Sequence, residues 1–336
     1  MTDLTIHTQQ LEKCMPLIRQ KKPGYVVAID PDLASVVECR SLGVRVIARM
    51  YDRLLDGGNA ENFISPDDYI KQLAEKPWFS PDGVWGVTTP NEPHPGSVEF
   101  LETIVGGVEE RGIWCVVGNW GTGWDGFYVP GATYYGCHEY GWPHVTSQQP
   151  YQAYRHSNFN NHDREQPGAG WFEKLVIPRN GNARLFITEF GVTRAASGAS
   201  EDVGYHSADM DHVLVALDYR GYVAGLKPYV LAAAAFNFAS YFPYESFELL
   251  GTAVENTITG RVEHQINAEA NEELVFSLGF KELYEKLGHD VVGNPTTRLT
   301  YTESLFGGSM AIQLTERGYM LWEQSTGQSF FFRAAR

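Results

Sequence analysis

Val44–Tyr51, VRVIARMY, and Leu185–Phe190, LFITEF, decide the fold. Neither run alternates apolar with polar residues, as a strand with one wet face does. Near-continuous apolar runs of this kind suit a parallel sheet covered on both faces. Working outward, six more such runs occur: Leu4–His7, Tyr25–Asp30, Val84–Thr89, Ile113–Asn119, Tyr134–Tyr140 and Tyr229–Phe238. Helix-like segments lie between most neighbours, at Gln9–Gln20, Ala34–Leu42, Pro66–Glu75, Ser97–Arg111, Gln149–Leu175 and Ser207–Tyr219. Pro66-Asp67-Asp68 and Pro95-Gly96-Ser97 put proline, acid and hydroxyl groups where helix starts want them. Strands alternating with helices point to βα units with right-handed parallel connections. Eight units over about 240 residues match the usual size of a (β/α)8 barrel. The rival, an open doubly wound sheet, usually has fewer strands, and no GxGxxG follows the first strand. The expected class is α/β, a (β/α)8 TIM barrel.

After Phe238 the pattern changes. Tyr241–Gly260 reads as a loop and a short closing helix, and RVEHQINAEANEE is polar and linker-like. Leu278–Leu287 reads as one helix. Gly293–Phe332 is rich in Thr, Gly and aromatic residues, with alternations at Met310, Ile312 and Leu314 and at Tyr319 and Leu321. With the Glu316-Arg317-Gly318 turn, these give a small β-hairpin module. The expected division is a barrel over 1–262, then a linker, helix and small β-rich C-terminal appendage over 263–336.

Composition narrows the function classes. The 336 residues are 43% hydrophobic and 20% charged, a globular rather than disordered balance. A formal net charge of −15 repels phosphate backbones, so no nucleic-acid partner is expected. The longest apolar candidate, Val230–Phe236, is far too short to span a bilayer, so no membrane insertion is expected. MTDLTIHTQQ has neither a basic nor an apolar leader region, so no signal peptide is read there and the compartment stays open. Cys14, Cys39, Cys115 and Cys137 show no metal-ligand spacing; Cys115 and Cys137 read as small buried hydrophobes.

In a barrel the chemistry sits at the C-terminal ends of the strands. The fourth strand ends Thr89-Pro90-Asn91-Glu92-Pro93, and the seventh ends Thr188-Glu189-Phe190-Gly191. Two carboxylates across one barrel mouth are what glycosidic cleavage needs: one protonates the leaving oxygen, and the other attacks the anomeric carbon or activates water. Strand six ends Cys137-His138-Glu139-Tyr140-Gly141-Trp142-Pro143. Alternation gives His138 and Tyr140 one direction and Glu139 the other, which disfavours Glu139 as a catalytic group. Arg49 ends strand three, and Asn119 and Trp120 end strand five. Arg49 and Asn119 suit sugar hydroxyls or the control of carboxylate ionisation, and Trp120, Trp124, Trp142, Tyr51 and Tyr241 suit stacking on sugar faces. His7, closing strand one, is placed at the mouth without a role.

Eight βα units with Asn-Glu-Pro on strand four and Thr-Glu-Phe-Gly on strand seven resemble the clan A superfamily of retaining glycoside hydrolases. The resemblance implies Glu92 as general acid/base, Asn91 as the holder of the substrate 2-hydroxyl and Glu189 as nucleophile. It also implies that His138 or Tyr140 contacts the nucleophile. Many relatives carry a Trp at the end of strand eight; here the run is Ala235-Phe236-Asn237-Phe238, which puts the usual subsite in doubt. The expected activity is hydrolysis of a β-linked oligo- or polysaccharide with no metal or organic cofactor. The C-terminal pattern FGGSM…GYMLW loosely resembles aromatic-Gly repeats attached to bacterial cell-wall enzymes, which implies cell-wall attachment. Two other classes stay open. One is a carbohydrate-binding barrel without turnover. The other, weaker for lack of HxH or HExxH, is a metal-dependent hydrolase using His7, His138 and an Asp.

Overall fold

In a computed structural model, the described residues are 3–52, 54–55, 60–94, 97–121, 126–142, 145, 171–197, 204, 210, 215–216, 218–219, 222–223, 226–241, 244–252, 255, 279–292, 300–303, 309–315, 318–323 and 328–333. The chain divides into two compact units, Met1–Val262 and Glu263–Arg336.

The first unit is a closed eight-stranded barrel in which every strand pairs in parallel with its neighbours in chain order. Its strands are β1 (Asp3–Thr8), β2 (Tyr25–Ile29), β3 (Arg45–Arg49), β4 (Gly86–Thr88), β5 (Trp114–Trp120), β6 (Tyr134–Gly141), β7 (Arg184–Val192) and β8 (Val230–Ala235). β8 closes on β1 through Asp3↔Ala232 to Ile6↔Ala235, which leaves no open edge. Helices α1 (Leu11–Lys21), α2 (Leu33–Ser41), α3 (Pro66–Ala74) and α4 (Val98–Glu109) follow the first four strands. This is compatible with a TIM-like α/β barrel. The expected helix at Gln149–Leu175 lies mostly outside the described residues; its end is a π-helical turn, Phe172–Val176. Of the segment expected at Ser207–Tyr219, Val215, Ala216, Asp218 and Tyr219 are described as helical.

Local chemistry sets the helix starts. The Ser65 hydroxyl accepts the Asp68 N–H at 3.1 Å with Pro66 at the first helical position, and Asp32 accepts the Ser35 N–H at 2.8 Å. Ser97 precedes α4 without a side-chain cap bond.

Two apolar layers make the body. Inside the barrel Tyr25, Val27, Ile47, Val116, Phe186, Ala232 and Ala234 form one cluster. The small alanines of β8 leave room for the large Phe186 and Trp85 rings, which meet edge-on at 5.9 Å. A second, larger cluster fills the space between strands and helices, which is why the strands read as apolar throughout. Strand side chains alternate, so Arg49 shares the inward face of Ile47 and arrives at the mouth of a barrel that is otherwise packed with hydrocarbon.

The second unit holds helices Gly279–Leu287 and His289–Val292 and a four-stranded antiparallel sheet. Its strands are β9 (Thr300–Glu303), β10 (Ser309–Thr315), β11 (Gly318–Glu323) and β12 (Gln328–Arg333), in the order β12-β11-β10-β9. β10 and β11 pair from Met310↔Glu323 to Thr315↔Gly318. Among the described residues no helix is long and apolar enough to cross a membrane.

Candidate active site at the barrel mouth

Glu189 lies near the end of β7 and is 6% exposed. A carboxylate that buried needs partners for both oxygens. The Arg49 Nη1 donates to its Oε1 at 2.7 Å, and the Tyr140 hydroxyl donates to its Oε2 at 2.9 Å. His7 Nε2 and His138 Nε2 stand 3.4 Å and 3.6 Å from Oε1. Burial by itself would raise the Glu189 pKa; the His138 ring, the His7 contact and the Arg49 charge outweigh it and hold the group well below the usual carboxylate range. Glu189 is therefore ionised at neutral pH.

Glu92 sits just past β4 with its side chain 38% exposed, far more open than Glu189. Its Oε1 is 3.3 Å from His138 Nδ1. One imidazole ring thus spans the gap between the two carboxylates, touching each through a different nitrogen. Gly121 makes room for the Glu92 carboxylate: a Cβ there would lie 2.7 Å from Oε1.

Six strand ends are stitched around this pair. Arg49 Nη1 also donates to Asn91 Oδ1 at 2.9 Å, so one guanidinium ties the ends of β3, β4 and β7 together. Burial lowers the His7 pKa against the pull of Glu189, so the ring is neutral at pH 7. A neutral imidazole has one N–H. With Nδ1 3.4 Å from Asn237 Oδ1 and Nε2 3.4 Å from Glu189 Oε1, only one of those contacts is a donated hydrogen bond.

Of the residues singled out by sequence, Glu92, Glu189, Asn91, Arg49, His138 and Tyr140 come together in this cluster. Two others are buried and engaged elsewhere. Trp120, expected to contact substrate, is 1% exposed and packs against Trp171 at 4.8 Å and Phe127 at 5.1 Å, because the β5 ladder slips one residue before it and sends the ring into the core. Asn119, expected to contact sugar hydroxyls, is 1% exposed, and its Oδ1 accepts from Thr188 Oγ1 at 2.8 Å. Trp142 is half-buried, with the Arg194 guanidinium 5.5 Å over its ring. Tyr51 and Tyr241 are 51% and 57% exposed at the ends of β3 and β8, and Trp124 lies outside the described residues. Glu139 is 3% exposed and accepts from the Tyr222 hydroxyl, away from the two carboxylates.

The sequence assigns no role to Asn237 or Phe236, and gives His7 one only as a metal ligand in the weakest alternative. Phe236 follows directly after β8. It is 5% exposed, with the His7 ring at 4.9 Å and the Phe247 ring at 5.2 Å, so it packs against the ring that stands beside Glu189. The signal for His7 was parity: it lies two residues after Thr5 at the end of the strand that closes the barrel.

Among the described residues, no group of three or more His, Cys, Asp or Glu side chains is arranged to hold a metal ion. The Arg49 guanidinium occupies the cationic position beside Glu189. No protein-family model matches the chain, and no curated protein matches it.

Proposed function

We propose that the barrel is a retaining glycoside hydrolase of the (β/α)8 type, cleaving a β-linked oligo- or polysaccharide with Glu189 as nucleophile and Glu92 as acid/base. The observation that carries this reading is the asymmetry of the two carboxylates. Glu189 is buried and kept ionised by Arg49, His7 and His138, while Glu92 is open to the mouth across the same His138 ring. A group that must attack needs a fixed charge, and a group that must exchange protons with water needs access to it.

In the first step a Glu189 oxygen forms a bond to the anomeric carbon. The bond from that carbon to the leaving oxygen breaks, and the Glu92 proton moves to that oxygen. In the second step Glu92, now a carboxylate, takes a proton from water. The water oxygen bonds to the anomeric carbon, and the ester bond breaks to restore the Glu189 carboxylate. Tyr140 and Arg49 hold the Glu189 oxygens, and Asn91, held by Arg49, is read as the partner of the substrate 2-hydroxyl. No step calls for a cofactor. The aromatic C-terminal sheet is read as a cell-wall or glycan attachment module.

A second reading, a carbohydrate-binding barrel without turnover, draws on the Arg49–Glu189 ion pair, which engages the oxygen that would otherwise be free to attack. Reducing-sugar release from a broad glycan panel, peptidoglycan included, separates the two. Release by the wild type that disappears in Glu189→Gln supports the hydrolase. Binding without release by either protein supports the lectin-like barrel.

A further inference from the structure

The backbone at the end of β5 is unusual, and it leads to both carboxylates. The β5–β6 ladder pairs Gly118 with Gly136 and then Trp120 with Cys137, so Asn119 is passed over in a bulge. Gly118 has φ +108°, and a Cβ on it would lie 2.1 Å from the Trp120 ring, so the bulge depends on glycine there. Asn119 itself has φ +50° and Glu92 has φ +48°, conformations that residues with side chains keep only when their surroundings hold them.

The bulge has two consequences. It turns the Asn119 carbonyl to accept the Glu92 N–H at 3.1 Å, and it buries the Asn119 side chain so that Oδ1 accepts from Thr188 Oγ1 at 2.8 Å. Gly136 makes that possible, since a Cβ there would lie 2.4 Å from Asn119 Oδ1. Thr188 immediately precedes Glu189. A single buried residue therefore joins the backbone of one carboxylate to the strand of the other.

We propose that Asn119 and Thr188 are positioning residues that set the placement of Glu92 relative to Glu189, and hence its competence as a proton donor. This inference rests on the two-carboxylate reading above. It differs from a sugar-binding role for Asn119, whose side chain is buried and engaged. It also differs from a purely structural role, because in kcat/KM, which reports the first bond-breaking step, a misplaced proton donor is felt only where the leaving group needs a proton. General acid catalysis contributes about 10²–10⁴-fold, and an activated dinitrophenolate departs without it.

The test compares alkyl and dinitrophenyl β-glycosides of the sugar identified by the glycan panel, for the wild type, Thr188→Val and Thr188→Ser. Asn119→Ala serves if Thr188→Val does not fold. The expected result is a fall in kcat/KM on the alkyl glycoside of roughly 10- to 100-fold in Thr188→Val, part of the full acid-catalytic factor. The loss on the dinitrophenyl glycoside is expected to be at least tenfold smaller, and Thr188→Ser, which keeps the hydroxyl, restores most of the alkyl rate. Equal losses on both substrates, or a change in KM alone, in an active enzyme overturn the positioning role by itself. A wild type inert on every glycoside overturns the two-carboxylate reading and the positioning role with it.

Discussion

Replacing Arg49 with Met takes away the cation that lies 2.7 Å from Glu189 Oε1 while keeping most of the side chain's volume. Both partners are buried, with side-chain exposures of 9% and 8%, so water does not take over the charge that is left behind. Breaking a buried pair from one side typically destabilises by about 3–5 kcal/mol. For a unit of this size that corresponds to a fall in Tm of roughly 6–20 °C. The double variant Arg49→Met/Glu189→Gln removes the orphaned charge and is expected to recover most of the loss. The pH dependence carries a sign. Glu189 titrates below its unfolded value because His138, His7 and Arg49 together outweigh burial. Its stabilising contribution is therefore complete above the unfolded carboxyl pKa of about 4.3 and is lost only as pH falls through the lower folded value. Without Arg49 that folded value rises, so the gap between Arg49→Met and wild type narrows as the pH approaches 4. Thermal unfolding followed by circular dichroism between pH 4 and 8, with Asn91→Ala as the control for the other Arg49 bond, measures all of this. A loss below about 1 kcal/mol in Arg49→Met, or a double variant no more stable than the single, would mean that Arg49 does not balance the Glu189 charge.

Gly121→Ala puts a methyl group 2.7 Å from Glu92 Oε1, the far end of a side chain that can swing away. Unfolding temperature should hardly move while hydrolysis of alkyl glycosides drops at least tenfold; a Tm loss that parallels the activity loss would contradict this. Tyr140→Phe deletes a hydrogen bond to the charged Glu189, worth about 1.5–3 kcal/mol. In steady-state kinetics it should lower kcat/KM by roughly 10- to 150-fold, and an unchanged value would show that the hydroxyl does not aim Glu189. His7 is held below its usual pKa by burial, so its contribution to stability is whole above the unfolded value of about 6.5 and declines as pH falls toward the folded one. His7→Gln should flatten the stability profile between pH 7 and 5, and a slope equal to the wild type's would count against a buried neutral ring.

The barrel was legible because its signal is repeated. VRVIARMY became β3 at Arg45–Arg49 and LFITEF became part of β7 at Arg184–Val192, and continuous apolar runs have one comfortable environment, a sheet covered on both sides. Parity also served at β6: His138 and Tyr140 both reach Glu189, while Glu139 turns to Tyr222. At β5 a bulge shifts the ladder between Gly118 and Trp120, so alternation along the sequence does not give the side-chain directions there. Gly118 and Asn119, both at positive φ, redirect the strand end, so Trp120 went into the core and Asn119 beneath the mouth. The contact of His7 with Glu189 was not readable because it spans the whole unit and exists only once the barrel closes through β8. Phe236 was unreadable for a related reason: its neighbours His7 and Phe247 come from opposite ends of the barrel sequence.

The most direct test of the two-carboxylate mechanism is the anomeric configuration of the first sugar released, followed by proton NMR during hydrolysis of a β-aryl glycoside. Double displacement through Glu189 delivers the β-anomer first, with the α-anomer growing in only by mutarotation. Initial release of the α-anomer would mean that water, not Glu189, attacks the anomeric carbon.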